Sequence, residues 1–165
     1  MKKSSTDEYK YVYPPNARSQ EQLDIMMRME TEGLDPLAEE NVDQSAQPTL
    51  FRTDYWYVSH NRYPRPGSEL SFLIMARGPI YEVEELTPEM WLDLQQIWQR
   101  LVKEYNVTGG GICMRFGDPA KSGASLKRLH AHIIMPQDGE KVRFPVGGQR
   151  ELDEGFPCKS DKRTR

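Results

Sequence analysis

Apolar residues recur along this chain with two different periods. From Trp91 to Tyr105 they return at three- and four-residue steps. Trp91, Leu94, Ile97, Trp98, Leu101, Val102 and Tyr105 then share one broad face of a helix. Thr87 suits the N-cap, Pro88 the first helical position and Glu89 the positive end of the helix dipole. The pattern predicts a helix about 27 Å long that covers a sheet with its tryptophans in the core. A second helical pattern comes earlier: Leu23, Met26, Met27 and Met29, with Ser19 and Gln22 at capping-box spacing and Gly33 as a stop. It predicts a helix over residues 19–32.

Elsewhere the apolar runs are short and rich in β-branched and aromatic residues. Tyr55 to His60, Leu70 to Ala76 and Ile112 to Phe116 read as strands, and Val142-Arg143-Phe144 as a short edge strand. The first two flank a turn, residues 61–68, with two prolines and a glycine, as in a hairpin with a long connection. Residues 34–48 are acidic and irregular and read as a loop. Gly109-Gly110-Gly111 precedes a strand, whereas phosphate-binding glycine loops follow one, so it reads as a flexible turn. Hairpins with one long helix among them predict an α+β fold: a mostly antiparallel sheet covered by one long helix, with an additional N-terminal helix. The expected organisation is a flexible or draped tail over 1–18, with Tyr9, Tyr11 and Tyr13 alternating in it. One domain follows over 19–150, and then a flexible tail over 151–165.

The strand with the most chemistry is Arg128-Leu129-His130-Ala131-His132-Ile133-Ile134, which holds two of the chain's three histidines. Strand side chains alternate, so Arg128, His130 and His132 share one face, while Leu129, Ala131 and Ile133 pack on the other. Just upstream, residues 117–125 form a polar loop of small residues that can bring backbone N–H groups to an anion. Two readings compete: a strand with two ordinary histidines, or a site for phosphate chemistry.

Composition narrows the classes. The net charge is −3 over 165 residues and the pI about 5.7, which gives no electrostatic case for general nucleic-acid binding. The mean hydropathy of −0.76 is that of a polar chain with loosely packed ends. Cys113 and Cys158 are far apart, without metal-ligand spacing or a disulfide framework. Lys2 and Lys3 are not followed by an apolar stretch, and no run approaches membrane-spanning length. The expectation is a cytoplasmic protein with no membrane partner.

The order of motifs decides between the two readings. An N-R-Y-P-R-P-G turn joins two strands; L-T-P-E opens a long helix; a strand ends in M-R-F-G-D; G-A-S-L-K-R-L-H-A-H-I-I closes the core. Over residues 20–136 this resembles the histidine-triad (HIT) superfamily of nucleotide hydrolases and transferases. The family's His-φ-His-φ-His-φ-φ, with φ apolar, reads here as Arg128-Leu129-His130-Ala131-His132-Ile133-Ile134. The resemblance implies that His130 is the nucleophile, attacking an α-phosphorus to form a nucleotidyl-histidine that water then hydrolyses. It implies that a backbone carbonyl from the first triad position fixes the tautomer, and that His132 contacts the phosphate or the leaving oxygen. Ser125 and the Gly123 backbone match the phosphate loop, Asn61 the ribose-binding residue, and Tyr57 a wall of the base pocket. It also implies a small-molecule nucleotide substrate and a homodimer.

The chain departs from the family pattern in four places. Arg128 replaces a triad histidine; it can attract phosphate but cannot shuttle a proton. Arg115 stands where many relatives place asparagine, which suits a polyphosphate. No histidine follows the P-G turn, where Ser68, Glu69, Leu70 and Ser71 lie. The zinc-binding C-P-x-C of bacterial relatives corresponds to residues 33–38, with Asp35 and Ala38 at the cysteine positions, so neither zinc nor another cofactor is expected. Candidate substrates are dinucleoside polyphosphates, nucleotidyl-sulfates and phosphoramidates. The alternative is a catalytically weak nucleotide-binding or sensing module. A third reading, processing of nucleic-acid ends by Arg115 and the basic tail, requires strongly salt-dependent binding. Of the remaining polar residues, His60 reads as structural because it neighbours Asn61 but points to the opposite strand face, and Asp118 as a turn residue.

Overall fold

The structure, a computed structural model, describes residues 8–42 and 48–147; the expected C-terminal tail and Cys158 lie outside the described residues. Strands β1 (Thr49–Arg52), β2 (Trp56–His60), β3 (Ser68–Ala76), β4 (Gly111–Met114) and β5 (His130–Pro136) form one sheet in the order β1-β2-β3-β5-β4. Every pairing is antiparallel. With the helices α1 (Gln20–Thr31), α2 (Glu39–Val42), α3 (Pro88–Glu104) and α4 (Pro119–Ser122), this is an α+β fold. No described helix is long and apolar enough to cross a membrane.

The sheet is two-sided because its strands alternate. Trp56, Val58, Phe72, Ile74, Ala131 and Ile133 form the main core with Met90, Leu94, Ile97 and Leu101 of α3. The Trp56 indole N–H donates to the Met90 carbonyl at 3.0 Å, which satisfies its one polar group inside that core. Thr87 caps α3 by accepting from the Met90 amide. His60 lies on this side as well, against Phe72 and Tyr105.

The tryptophans of α3 are not core residues. Trp91 is 46% exposed, Trp98 42% and Val102 37%. They form a stripe one position round from the buried one, and a helix lying on a sheet turns only one side towards it. The apolar period locates a helix face but not the width that a flat partner buries.

The second face of the sheet carries the histidines, and the N-terminal third of the chain covers it. Ser19 caps α1 by accepting from the Gln22 amide. Residues 8–18, expected as part of a flexible or draped tail, are laid down as a strap. Val12 forms an antiparallel bridge with Leu126, and Tyr13 N–H donates to the Ser125 carbonyl at 2.8 Å. Val12 and Ala17 are fully buried. The Glu30 carboxylate of α1 accepts from the Tyr11 and Val12 amides, which accounts for this order.

Other local expectations change. The segment read as a loop contains the single-turn helix α2. Residues 142–144 form no strand among the described residues. Arg128 precedes β5 rather than lying in it. The triple glycine has a steric reason: a Cβ on Gly110, at φ +149°, would meet the Ile134 carbonyl oxygen at 2.2 Å.

Candidate active site

Strand register builds the site. His132 lies opposite Leu73 on one side and Cys113 on the other, and Leu73 lies opposite Ser59. His130 lies opposite Met75, and Met75 opposite Tyr57. Two parallel rows therefore cross the sheet on the face away from α3. The imidazole centroids of His130 and His132 are 5.2 Å apart.

His130 is buried, and its Nδ1 lies 2.8 Å from the carbonyl oxygen of Arg128. A carbonyl can only accept, so Nδ1 carries the proton and Nε2 the lone pair. Burial holds the pKa of His130 down at about 4, and the Arg115 charge adds to the effect; the Arg128 hydrogen bond and Asp35 oppose it. His132 is also held well below the ordinary range, first by burial, then by His130 and by Arg115, Arg18 and Arg65. Both rings are thus neutral at neutral pH. Among the described residues neither ring nitrogen of His132 has a hydrogen-bond partner, although both are buried. Such orphaned groups are costly unless something binds them.

A cavity of about 150 Å³ opens beside the rows. Leu73 and Met75 belong to its lining, with Leu37, Met26 and Leu126 above, and Asn61 and Ser59 supply polar groups. Adjacent strands are about 4.8 Å apart, so a ligand resting on Leu73 and Met75 is one strand from the histidines.

The expected site residues divide. Asn61 lines the cavity; its amide side chain donates to Ser71 Oγ and accepts from the Tyr63 amide. Arg115 lies on the histidine side and donates to the Gly123 carbonyl at 2.7 Å, and its buried Nε has no partner among the described residues. Ser125 is in the loop beside Leu126, its carbonyl held by Tyr13.

Three expected contacts are corrected. Tyr57 lies behind the cavity wall rather than lining it: it is fully buried, and its hydroxyl donates to the Leu37 carbonyl at 2.5 Å. The Gly123 amide is spent on the Pro119 carbonyl, so it is not free for phosphate. Arg128 does not face a phosphate. Its Nε donates to Asp35 Oδ2 at 2.8 Å, and its Nη1 is shared among the carbonyls of Ala76, Arg77 and Gly78. A buried guanidinium has to be paired in this way.

The same geometry bears on zinc. Asp35 faces a guanidinium that has no lone pair and repels a cation, so the residues present do not fit a zinc ion. Among the described residues no three His, Cys, Asp or Glu side chains gather as a metal-ligand set.

Several site residues were not legible beforehand. Phe144 stacks edge-on against His132 with ring centroids 4.9 Å apart, and the guanidinium carbons of Arg115 and Arg65 lie 4.7 and 5.8 Å from its centroid. Asn16 is buried and donates to the carbonyls of Pro119 and Ala124, both at 2.8 Å, clamping the loop upstream of Ser125. Arg65 had a signal in the turn motif; Asn16 and Phe144 had none.

Comparison with known proteins agrees with the fold. Similar solved structures include a HIT family hydrolase from Clostridium thermocellum, at 13% identity over 61% of this chain and 88% of that one, with a TM-score of 0.51. A hypothetical protein from Leishmania major is 17% identical over 73% of this chain and 81% of that one, TM-score 0.50. A Hit-like protein involved in cell-cycle regulation from Bartonella henselae is 15% identical over 67% and 87%, TM-score 0.50. No curated protein matches the sequence. The family model described as HIT domain matches residues 44–139, more than half of the chain and all five strands. The chain belongs to the HIT family.

Proposed function

We propose that this protein cleaves nucleoside phosphate derivatives at the α-phosphorus through a nucleotidyl-His130 intermediate. The observation that carries this reading is the pairing of a tautomer-fixed, neutral His130 with a neighbouring His132 whose ring nitrogens have no partner among the described residues, one strand from an apolar cavity. A base in the cavity, with Asn61 towards the ribose, brings the α-phosphate to the histidines. Nε2 of His130 attacks phosphorus, the bond to the leaving group breaks, and His132 contacts the phosphoryl oxygens or the leaving oxygen. Water then cleaves the P–N bond and restores His130. Ser125 contributes to the phosphate loop.

Arg115, with Arg65 and Arg18 close enough to shift its pKa, favours a substrate with further phosphates beyond the α-phosphorus. A second copy of the chain covers the exposed Trp91–Trp98–Val102 stripe in this reading, giving a homodimer. A substrate panel of dinucleoside polyphosphates, nucleotidyl-sulfates and phosphoramidates, run with wild type and His130→Ala, tests the reading. Turnover of at least one class by wild type, and its loss in the variant, is expected. Unchanged turnover by His130→Ala rejects it.

The second reading, a nucleotide-binding or sensing module with weak catalysis, is favoured by Phe144, which lies against His132. Nucleotide binding by calorimetry without turnover or adduct selects it.

A further inference from the structure

We propose that the Asp35–Arg128 ion pair is a positioning device that seats His130 and ties it to the wall of the nucleotide cavity. The inference rests on the proposed role of His130.

The pair is well placed for this. Both side chains are buried, at 7 and 8% exposure, and the Nε–Oδ2 distance is 2.8 Å. The residue that makes the pair also makes the decisive backbone contact, since the Arg128 carbonyl holds His130 Nδ1–H. That carbonyl is held from two directions. The Arg128 side chain is fixed by Asp35 and by the Ala76, Arg77 and Gly78 carbonyls at the end of β3. The next residue, Leu129, donates to the Ile80 carbonyl and accepts from the Ala76 amide. A backbone carbonyl aims well only if the chain on both sides of it cannot rotate.

Asp35 meanwhile organises the cavity wall. Its Oδ1 accepts from the Leu37 amide, and its carbonyl from the Asn41 side chain. The Leu37 carbonyl in turn accepts from Tyr57. Leu37 and Asn41 line the cavity. One carboxylate thus joins the wall that would hold the nucleoside to the residue that aims the nucleophile. Lysine at 128 keeps the charge, but its single ammonium cannot span Asp35 and three carbonyls together. Asp35 and Arg128 are positioning residues here, because neither touches the reacting atoms.

Nitrogen-15 NMR of the histidine rings in the full-length chain near neutral pH tests this without relying on turnover. Wild-type His130 is expected as one tautomer, with a protonated Nδ1 and a pyridine-like Nε2. Asp35→Asn, Arg128→Lys and Arg128→Met are then compared, with circular dichroism to confirm folding. Each is expected to turn the single His130 tautomer into a mixture and to lower kcat at least tenfold, with Arg128→Lys milder than Arg128→Met. Asp35→Glu, which keeps the carboxylate, is expected to restore part of the signal. If Arg128→Met does not fold, Arg128→Lys and Asp35→Asn carry the comparison. A wild-type tautomer and wild-type kcat in folded Asp35→Asn and Arg128→Lys would overturn the proposal. A wild type that turns over no substrate sinks the proposed function, while the tautomer comparison still decides the positioning role.

Discussion

The carbonyl oxygen of Arg128 accepts the Nδ1–H of His130 at 2.8 Å, so a backbone group rather than a side chain fixes the tautomer of that imidazole. The Arg128 side chain is neutralised by Asp35. A histidine side chain at position 128 is therefore not needed to orient the His130 ring.

The low pKa of His130 sets the expected pH dependence. Burial holds it at about 4, against an ordinary value of 6.5. A neutral nucleophile is needed, so the acid limb of kcat/KM should fall near pH 4 and not near 6.5. A limb at 6.5 would mean that His130 is solvated in the free enzyme.

The same shift bears on stability. Above pH 6.5 His130 is neutral both folded and unfolded. Below 6.5 the unfolded chain takes up a proton that the folded chain refuses until about pH 4, so stability falls across that window. The loss for this group approaches about 1.4 kcal/mol per pH unit. Denaturant unfolding at pH 7 and pH 5 measures it, and the midpoint should be lower at pH 5.

Asn16→Ala removes two buried hydrogen bonds to the loop carbonyls of Pro119 and Ala124. It should cost about 1–3 kcal/mol and loosen residues 118–125. Urea unfolding reports the first effect, and faster amide exchange in that loop the second.

Much of this was legible in the sequence, and what was not shares a cause. The strands of the sheet centre, α3 with its Thr87 cap, and the common face of His130 and His132 follow from periods and caps, which are local. Asp35, Asn16 and Phe144 reach the site from 93 positions upstream of Arg128, 103 upstream of Pro119 and 12 beyond His132, and no local pattern encodes such meetings. Arg128 was misread for a related reason. Arg128 lies just before β5, where strand alternation no longer governs a side chain, and its partner lay in a segment read as loop. Trp98 shows a different limit, since an apolar period marks a face without saying what covers it.

Arg115→Met should raise KM about tenfold, or ~1.4 kcal/mol, for substrates with two or more phosphates beyond the α-phosphorus. Phosphoramidates should be affected less. Steady-state kinetics on both classes checks this; an equal rise for both would assign Arg115 to the α-phosphate itself.

Trp98→Glu places a charge in the exposed stripe of α3. Sedimentation equilibrium should find wild type as a dimer and the variant shifted towards monomer. A monomeric wild type would remove the homodimer from the account.

The central claim is covalent, and it is tested most directly by trapping. Wild-type protein is mixed with substrate labelled at the α-phosphorus, quenched in base during a single turnover, digested and analysed by mass spectrometry. The account predicts a nucleotidyl group, labile to acid, on the peptide containing His130 and on His130 itself. Turnover with no such adduct at any time point, or an adduct on another residue, would contradict it.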